Sequence, residues 1–179
     1  NMLFNHFNIS LNSDQQKAIV EIEAFLASDK DIFILKGYAG SGKTTLLKGI
    51  GSYLNYQGRL GKVMAPTGRA AKVIQNKTSL PATTIHKAIF NYENVKSIDE
   101  EGDDAKKSFK FYFDLAQNEE SQNSVFIIDE SSMIGDNFSE GEFFRFGSGQ
   151  LLSDLLKYID LHTSKNHKVI FIGDPAQLE

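Results

Sequence analysis

The chain has 179 residues, 41% of them hydrophobic and 23% charged, which suits one compact domain. Cysteine is absent, which excludes disulfides and thiolate metal sites, and the four scattered histidines have no ligand spacing, so we expect no structural metal. No apolar stretch approaches the roughly 20 residues of a membrane helix, and no signal segment opens the chain. The expectation is a cytoplasmic protein with no membrane partner.

The net charge of -4 averages two stretches of opposite charge. Residues 36–92 contain nine Lys or Arg and no Asp or Glu, whereas residues 93–142 contain fourteen acids and four bases. A carboxylate would repel phosphate, so a stretch without carboxylates suits a surface that meets polyanions.

Apolar periodicity predicts helices and strands in alternation. The first helix begins with a capping box formed by Ser13 and Gln16 and ends near Ser28. Continuous apolar strands between helices predict an α/β fold, a three-layer domain whose mostly parallel sheet is covered on both faces. The later helices are predicted at about 43–53, 69–74, 84–90 and 151–161, and the strands at 32–35, 62–65, 125–128 and 169–172.

Small, polar or acidic residues follow each predicted strand directly. In an open parallel sheet, ligands bind outside the carboxyl ends of the strands, so we expect the chemistry to converge on one edge. The four strand ends are Lys36-Gly37, Pro66-Thr67-Gly68, Asp129-Glu130 and Gly173-Asp174.

Residues 91–123 fit this alternation poorly. They contain an acidic run and then alternating aromatic residues at Phe109, Phe111 and Phe113. Two interpretations stay open: a hairpin that turns at residues 101–103, or a solvated loop.

The glycine-rich segment after the first strand matches the pattern G-x-x-x-x-G-K-[ST] at Gly37, Gly42, Lys43 and Thr44. Glycines let backbone N–H groups close around phosphates, the lysine reaches the β and γ oxygens, and the threonine hydroxyl holds Mg²⁺. Asp129, after a buried strand, can bind that Mg²⁺, and the adjacent acid can act on water. These features predict nucleoside triphosphate hydrolysis.

Two other classes of phosphate-loop protein fit less well. A GTPase needs a base-reading N-K-x-D motif, and the nearest candidate, residues 76–79, lacks the aspartate. A small-molecule kinase needs a lid and an acceptor pocket, for which the sequence has no arginine cluster.

Six motifs in order, between Leu11 and Leu178, resemble the first RecA-like domain of superfamily 1 DNA helicases. The resemblance is strongest to the RecD-like and Dda-like branch and implies a RecA-like P-loop NTPase fold with a small insertion. The motifs are residues 11–15 (LNSDQ), 37–45 (GYAGSGKTT), 65–71 (APTGRAA), 84–86 (TIH), 127–133 (IIDESSM) and 172–178 (IGDPAQL).

The resemblance also implies roles at the nucleotide. Gln15 reads the adenine of ATP, and Thr44 and Asp129 hold Mg²⁺. Glu130 acts on the attacking water, Gln177 senses the γ-phosphate, and Asp174 links the nucleotide site to the DNA. The implied phosphate ligands are Gly37, Gly40, Ser41, Gly42, Lys43, Thr44 and Thr45.

Further implied roles concern single-stranded DNA. Contacts to phosphate and sugar make binding sequence-tolerant and salt-sensitive, and the branch implies 5′ to 3′ movement. Residues 91–123 correspond to an insertion with a strand-separating pin. The implied DNA contacts are Pro66, Thr67, Gly68, Arg69, Thr84 and His86.

The resemblance implies a second RecA-like domain as a partner, because that domain supplies an arginine finger. Glu179 stands where this family usually has proline. We expect the N-terminal motor domain of a longer helicase. The alternatives are an RNA helicase of the same superfamily and a nucleotide-dependent scaffold that does not translocate. The carboxylate-free stretch and residues 66–69 favour the motor.

Overall fold

The computed structural model describes residues 2–36, 42–93, 95–100, 108–161, 163 and 165–173. Within them, no helix has both the length and the apolar character to cross a bilayer. The helices are α1 (Ser13–Ala27), α2 (Gly42–Tyr56), α3 (Gly68–Thr78), α4 (Ile85–Ile89) and α5 (Leu151–Ile159). The strands are β1 (Ile32–Leu35), β2 (Gly61–Ala65), β3 (Ala82–Thr84), β4 (Lys96–Glu100), β5 (Ser108–Phe113), β6 (Val125–Ile128), β7 (Phe144–Phe146) and β8 (Lys168–Ile172).

The central sheet of the described chain has five parallel strands in the order β1-β8-β6-β2-β3. All four predicted strands are confirmed, within one residue at each end. The edge strand β3 was not predicted, because Ala-Thr-Thr has no apolar run to mark it. Its addition brings Thr84 into register with Ala65 of β2.

Helices cover both faces of the central sheet. Because successive side chains of a strand point to opposite faces, Val125 and Ile127 pack with α1, α2 and α3, whereas Phe126 and Ile128 pack with α4 and α5. All four side chains are fully buried. The predicted three-layer α/β fold is therefore confirmed.

Two predicted helix starts differ from the structure. The capping box of α1 is formed by Asn12 and Gln15, not by Ser13 and Gln16: Asn12 Oδ1 accepts the Gln15 N–H at 2.8 Å, and Gln15 Oε1 accepts the Asn12 N–H at 2.9 Å. Asparagine caps helices as well as serine does, so the sequence allowed both starts. Helix α4 is shorter than predicted, because Thr84 has an extended backbone and caps the helix.

A second, smaller sheet has the order β4-β5-β7. The hairpin interpretation of residues 91–123 is confirmed, since β4 and β5 pair antiparallel; the predicted turn at 101–103 lies outside the described residues. Two backbone hydrogen bonds join the chain on either side of the hairpin: the Asn91 N–H donates to Asp114 O at 2.8 Å, and the Ala116 N–H donates to Ile89 O at 2.7 Å. Strand β7, parallel to β5, comes from beyond this segment and was not predicted.

Candidate functional site

Lys43 connects the first turn of α2 to the end of β6. Helix α2 follows β1, and β8 lies between β1 and β6 in the sheet, so β1 and β6 are about 10 Å apart. The lysine side chain spans that gap: Nζ lies 2.9 Å from Asp129 Oδ1 and 3.1 Å from Glu130 Oε1. The structure thus brings Lys43 to two adjacent acids that lie 86 and 87 positions further along the sequence.

The two carboxylates differ in environment. The Asp129 side chain is 3% exposed, whereas that of Glu130 is 51% exposed. Burial acts to lower the pKa of Lys43, but its interactions with Asp129 and then Glu130 outweigh burial and raise the pKa above its ordinary value. Lys43 therefore stays an ammonium at neutral pH and offsets the negative charge of the pair.

The turn that carries Glu130 is held against the end of β8. Glu130 has a left-handed backbone (φ 50°, ψ 45°), a conformation that costs about 1–2 kcal/mol for a residue with a side chain. Ser131 Oγ donates to Ile172 O at 2.8 Å. A Cβ on Gly173, whose φ is +111°, would lie 3.0 Å from Ser131 Oγ, so only glycine fits beside this turn.

Ser131 and Gly173 are positioning residues to which the sequence analysis assigned no role. Both belong to the quoted motifs, but the sequence does not indicate which carbonyl the Ser131 hydroxyl reaches. The strained backbone of Glu130, together with the Ser131–Ile172 hydrogen bond that holds this turn, favours a functional reason for the geometry.

The oxygen ligands at this edge of the sheet fit Mg²⁺. Mg²⁺ prefers hard oxygen ligands, which here are the Asp129 carboxylate and the Thr44 hydroxyl in the first turn of α2. Asp129 Oδ1 is buried and already faces a cation, the Lys43 ammonium, although no donor meets hydrogen-bond geometry at that atom. A buried acceptor that lies beside a cation suits a metal ligand.

Several predicted site residues lie outside the described residues: Gly37, Gly40, Ser41 and Gln177 at the nucleotide, and Asp174, the predicted link to the DNA. The following part of the loop, from Gly42 to Thr45, forms the half-buried first turn of α2. Gln15 is half-buried, and its Oε1 serves the capping box. Its role in reading adenine stays a prediction.

The predicted DNA contacts follow the ends of β2 and β3, and β2 is a neighbour of β6 in the sheet. The Asp129 N–H donates to Met64 O on β2 at 2.9 Å, and β2 leads directly into Pro66. Thr67 Oγ1 accepts the Ala70 N–H at 3.2 Å and caps α3. Both predicted threonines act as helix caps, since Thr84 Oγ1 likewise accepts the Lys87 N–H at 3.2 Å.

Gly68 and Arg69 are exposed at the start of α3. A Cβ on Gly68 would meet no atom within 4 Å, and its backbone is helical, so nothing in the described chain requires glycine there. The absence of a side chain leaves room for a ligand backbone to approach α3.

His86 is half-buried among aromatic rings. Its ring centroid lies 4.8 Å from that of Phe146 and 5.6 Å from that of Phe90. It lines a cleft of about 280 Å³ between α4 and the segment that contains β7; Met133 and Phe144 also line this cleft. Burial lowers the pKa of His86, so the ring is neutral at physiological pH.

An aromatic ladder runs outward from His86 along one face of the small sheet. We define it as Phe146, Phe113, Phe144 and Phe111. Phe113 and Phe146 stack at 4.7 Å, and Phe111 and Phe144 stack at 5.9 Å. Phe113 is 8% exposed, whereas Phe144 is 48% and Phe111 39% exposed, so the ladder begins in the core and ends at the surface.

The opposite face of the small sheet holds the segment before β7 in place. Lys110 forms an ion pair with Glu140, and the Arg145 guanidinium lies 5.8 Å from the Tyr112 ring and 5.3 Å from the Phe138 ring. Phe144 was not predicted as a site residue, because β7 has only three residues. The alternation of Phe144, Arg145 and Phe146 was the available signal.

We predict that His86 makes stability depend on pH. Its folded pKa lies below that of an unfolded histidine, about 6.5, so the neutral ring's contribution is complete above that pH and is lost as the pH falls towards the folded pKa. Urea unfolding at pH 7.5, 6.5 and 5.5 should therefore show a smaller loss of stability on acidification for His86→Phe, which cannot titrate. Equal losses in the parent and the variant would contradict this assignment.

The comparison with protein families finds a match over most of the chain. A family model described as an AAA domain matches residues 10–141, a range that includes the phosphate loop, both carboxylates and all of the candidate DNA contacts. No curated protein matches the chain.

Proposed function

Because the chain belongs to the AAA-domain family of P-loop NTPases, found in superfamily 1 helicase-like proteins such as RecD, we propose that it is the motor domain of a cytoplasmic DNA helicase. In this proposal ATP hydrolysis drives movement along single-stranded DNA and unwinding of the duplex. The supporting observation is the hydrogen bond from the Asp129 N–H to Met64 O at 2.9 Å. It joins the residue that would hold the metal to the strand that leads into Pro66.

The residues of the described site divide the hydrolysis between them. The first turn of α2 binds phosphate, with Lys43 on the β and γ oxygens. The half-exposed Glu130 is placed to orient a water and to take its proton as the water oxygen attacks the γ-phosphorus and ADP leaves. Asp129 and Thr44 would hold Mg²⁺, which neutralises phosphate charge when bound.

Coupling to DNA follows from the order of the strands. Asp129 and Pro66 directly follow β6 and β2, and β6, β2 and β3 are neighbouring parallel strands. Neighbouring strands are about 4.8 Å apart, so a shift of the Asp129 turn on loss of the γ-phosphate reaches β2 through a single hydrogen bond. Residues 66–69 would then change their hold on the DNA backbone.

The track for single-stranded DNA would combine phosphate contacts with base stacking. Arg69 is exposed beside the open space at Gly68, where a phosphate can approach. The exposed end of the aromatic ladder, Phe111 and Phe144, offers ring faces to bases; such stacking typically contributes about 1–3 kcal/mol per base and tolerates any sequence. The strand-separating role of the β4–β5 hairpin belongs to the same proposal.

Replacing Arg69 by alanine should weaken binding of fluorescent oligo-dT and reduce the salt slope by about one, because one phosphate contact is lost. Lys77→Ala is the matched control, since Lys77 is also exposed but lies at the far end of α3. Fluorescence anisotropy between 50 and 200 mM salt measures both quantities. The same change in both variants would contradict a track at the start of α3.

The same assay separates the alternatives. Equal or tighter binding of oligo-rU would favour an RNA helicase. If neither oligonucleotide binds while a non-hydrolysable ATP analogue does, the chain is a nucleotide-dependent module without a nucleic-acid track.

A further inference from the structure

The Lys43 ammonium sits where a cation beside the two carboxylates would sit. Nζ lies 2.9 Å from Asp129 Oδ1 and 3.1 Å from Glu130 Oε1, and the Lys43 side chain is only 23% exposed. The pairing joins α2 to β6, so it is a tertiary contact and not a consequence of local sequence. Without nucleotide, the lysine is the counter-ion of both acids.

We propose that Lys43 determines which ligand the site accepts: it excludes free divalent metal from Asp129 and Glu130, so that the metal enters only together with the phosphates of a nucleotide. This inference rests on the proposed nucleotide-binding function. Lys43 would then have two roles: it excludes free metal before nucleotide binds, and it contacts the phosphates once nucleotide is bound.

Geometry and charge make the two cations mutually exclusive. Mg²⁺ binds oxygen at about 2.1 Å, so an Mg²⁺ ion on Asp129 Oδ1 would lie no more than about 5 Å from Nζ if Lys43 kept its position. Asp129 is buried, so little water screens their repulsion. Free metal would therefore have to displace Lys43, and the ammonium would lose both of the ion pairs that the structure gives it.

A nucleotide removes this conflict. Its β and γ oxygens give Lys43 a new anionic partner, which frees Asp129, while the metal that travels with the phosphates gives Asp129 a new cation. Each group exchanges one partner of opposite charge for another. The site therefore opens to metal and to phosphate in a single concerted exchange.

Mn²⁺ binding to the nucleotide-free chain tests this inference, with free Mn²⁺ followed by electron paramagnetic resonance. Lys43→Met should bind Mn²⁺ at least tenfold more tightly than the parent, because both carboxylates lose their counter-ion. Lys48→Met is the matched control: Lys48 is exposed about one turn further along α2, and its variant should bind like the parent. Lys43→Arg keeps the positive charge and should therefore bind Mn²⁺ as weakly as the parent.

A second substitution identifies the site of the gain. Adding Asp129→Asn to Lys43→Met should remove the increase in Mn²⁺ affinity. The inference is overturned if Lys43→Met, with its thermal unfolding transition intact, binds Mn²⁺ no more tightly than the parent, or if the gain survives Asp129→Asn.

Calorimetry on the parent with a non-hydrolysable ATP analogue and Mg²⁺ separates this inference from the proposed function. If the parent binds the analogue but Lys43→Met shows no gain in Mn²⁺ affinity, the function stands and the inference fails. If the parent does not bind the analogue, the proposed function fails, and the inference, which rests on it, fails too.

Discussion

ATP hydrolysis by residues 1–179 alone is expected to stay near background and to rise about 10³- to 10⁵-fold when a second RecA-like domain supplies an arginine to the γ-phosphate. The sequence has three arginines, all of them described. Arg59 Nε donates to Asn123 O at 2.9 Å, before β6 and therefore at the opposite edge of the sheet from the site. Arg145 packs between aromatic rings, and Arg69 belongs to the candidate DNA track.

Steady-state ATPase assays, with and without oligo-dT, test this prediction on the chain alone and on a longer protein with the second domain. In the longer protein, Arg69→Ala should reduce the stimulation by DNA and leave nucleotide binding unchanged, because Arg69 acts on the track. Brisk DNA-stimulated hydrolysis by residues 1–179 alone would show that the catalytic cation lies within this chain.

Glu130→Gln is expected to lower kcat of the two-domain protein by about 10²- to 10⁴-fold and to keep the affinity for the Mg²⁺–nucleotide complex. Glutamine has nearly the same shape as glutamate but cannot take a proton from water. Asp129, whose carboxylate would hold the metal, is untouched. Calorimetry with a non-hydrolysable analogue and single-turnover hydrolysis measure the two effects separately.

Two further variants serve as a control and as a contrast for Glu130→Gln. Glu142→Gln removes an exposed acid beyond the site and should leave kcat unchanged. Asp129→Asn should give the opposite pattern to Glu130→Gln, with weaker metal-dependent nucleotide binding as its primary defect. Turnover by Glu130→Gln at the rate of the parent would remove Glu130 from the mechanism.

The sequence by itself determined the strands β1 and β6 and the groups that follow them. Ile32–Leu35 and Val125–Ile128 are short uninterrupted apolar runs followed by small, polar or acidic residues, a pattern typical of strands in a parallel sheet. The phosphate-loop pattern is also local, because its chemistry depends on glycines and on a lysine at fixed spacing. For the same reason the sequence predicted the candidate catalytic groups by residue.

Only the tertiary structure decided which of these groups meet. Lys43 reaches Asp129 because β8 lies between β1 and β6, and strand order follows from pairing between distant segments that no local pattern records. Short elements such as β3 and β7 exist only through their neighbours: alone, three residues have too little apolar surface to signal a strand. The exposed ring of Phe144 belongs to the candidate track because β7 pairs with β5, a pairing that the sequence does not indicate. Local periodicity therefore specified the elements, and long-range packing assembled the site.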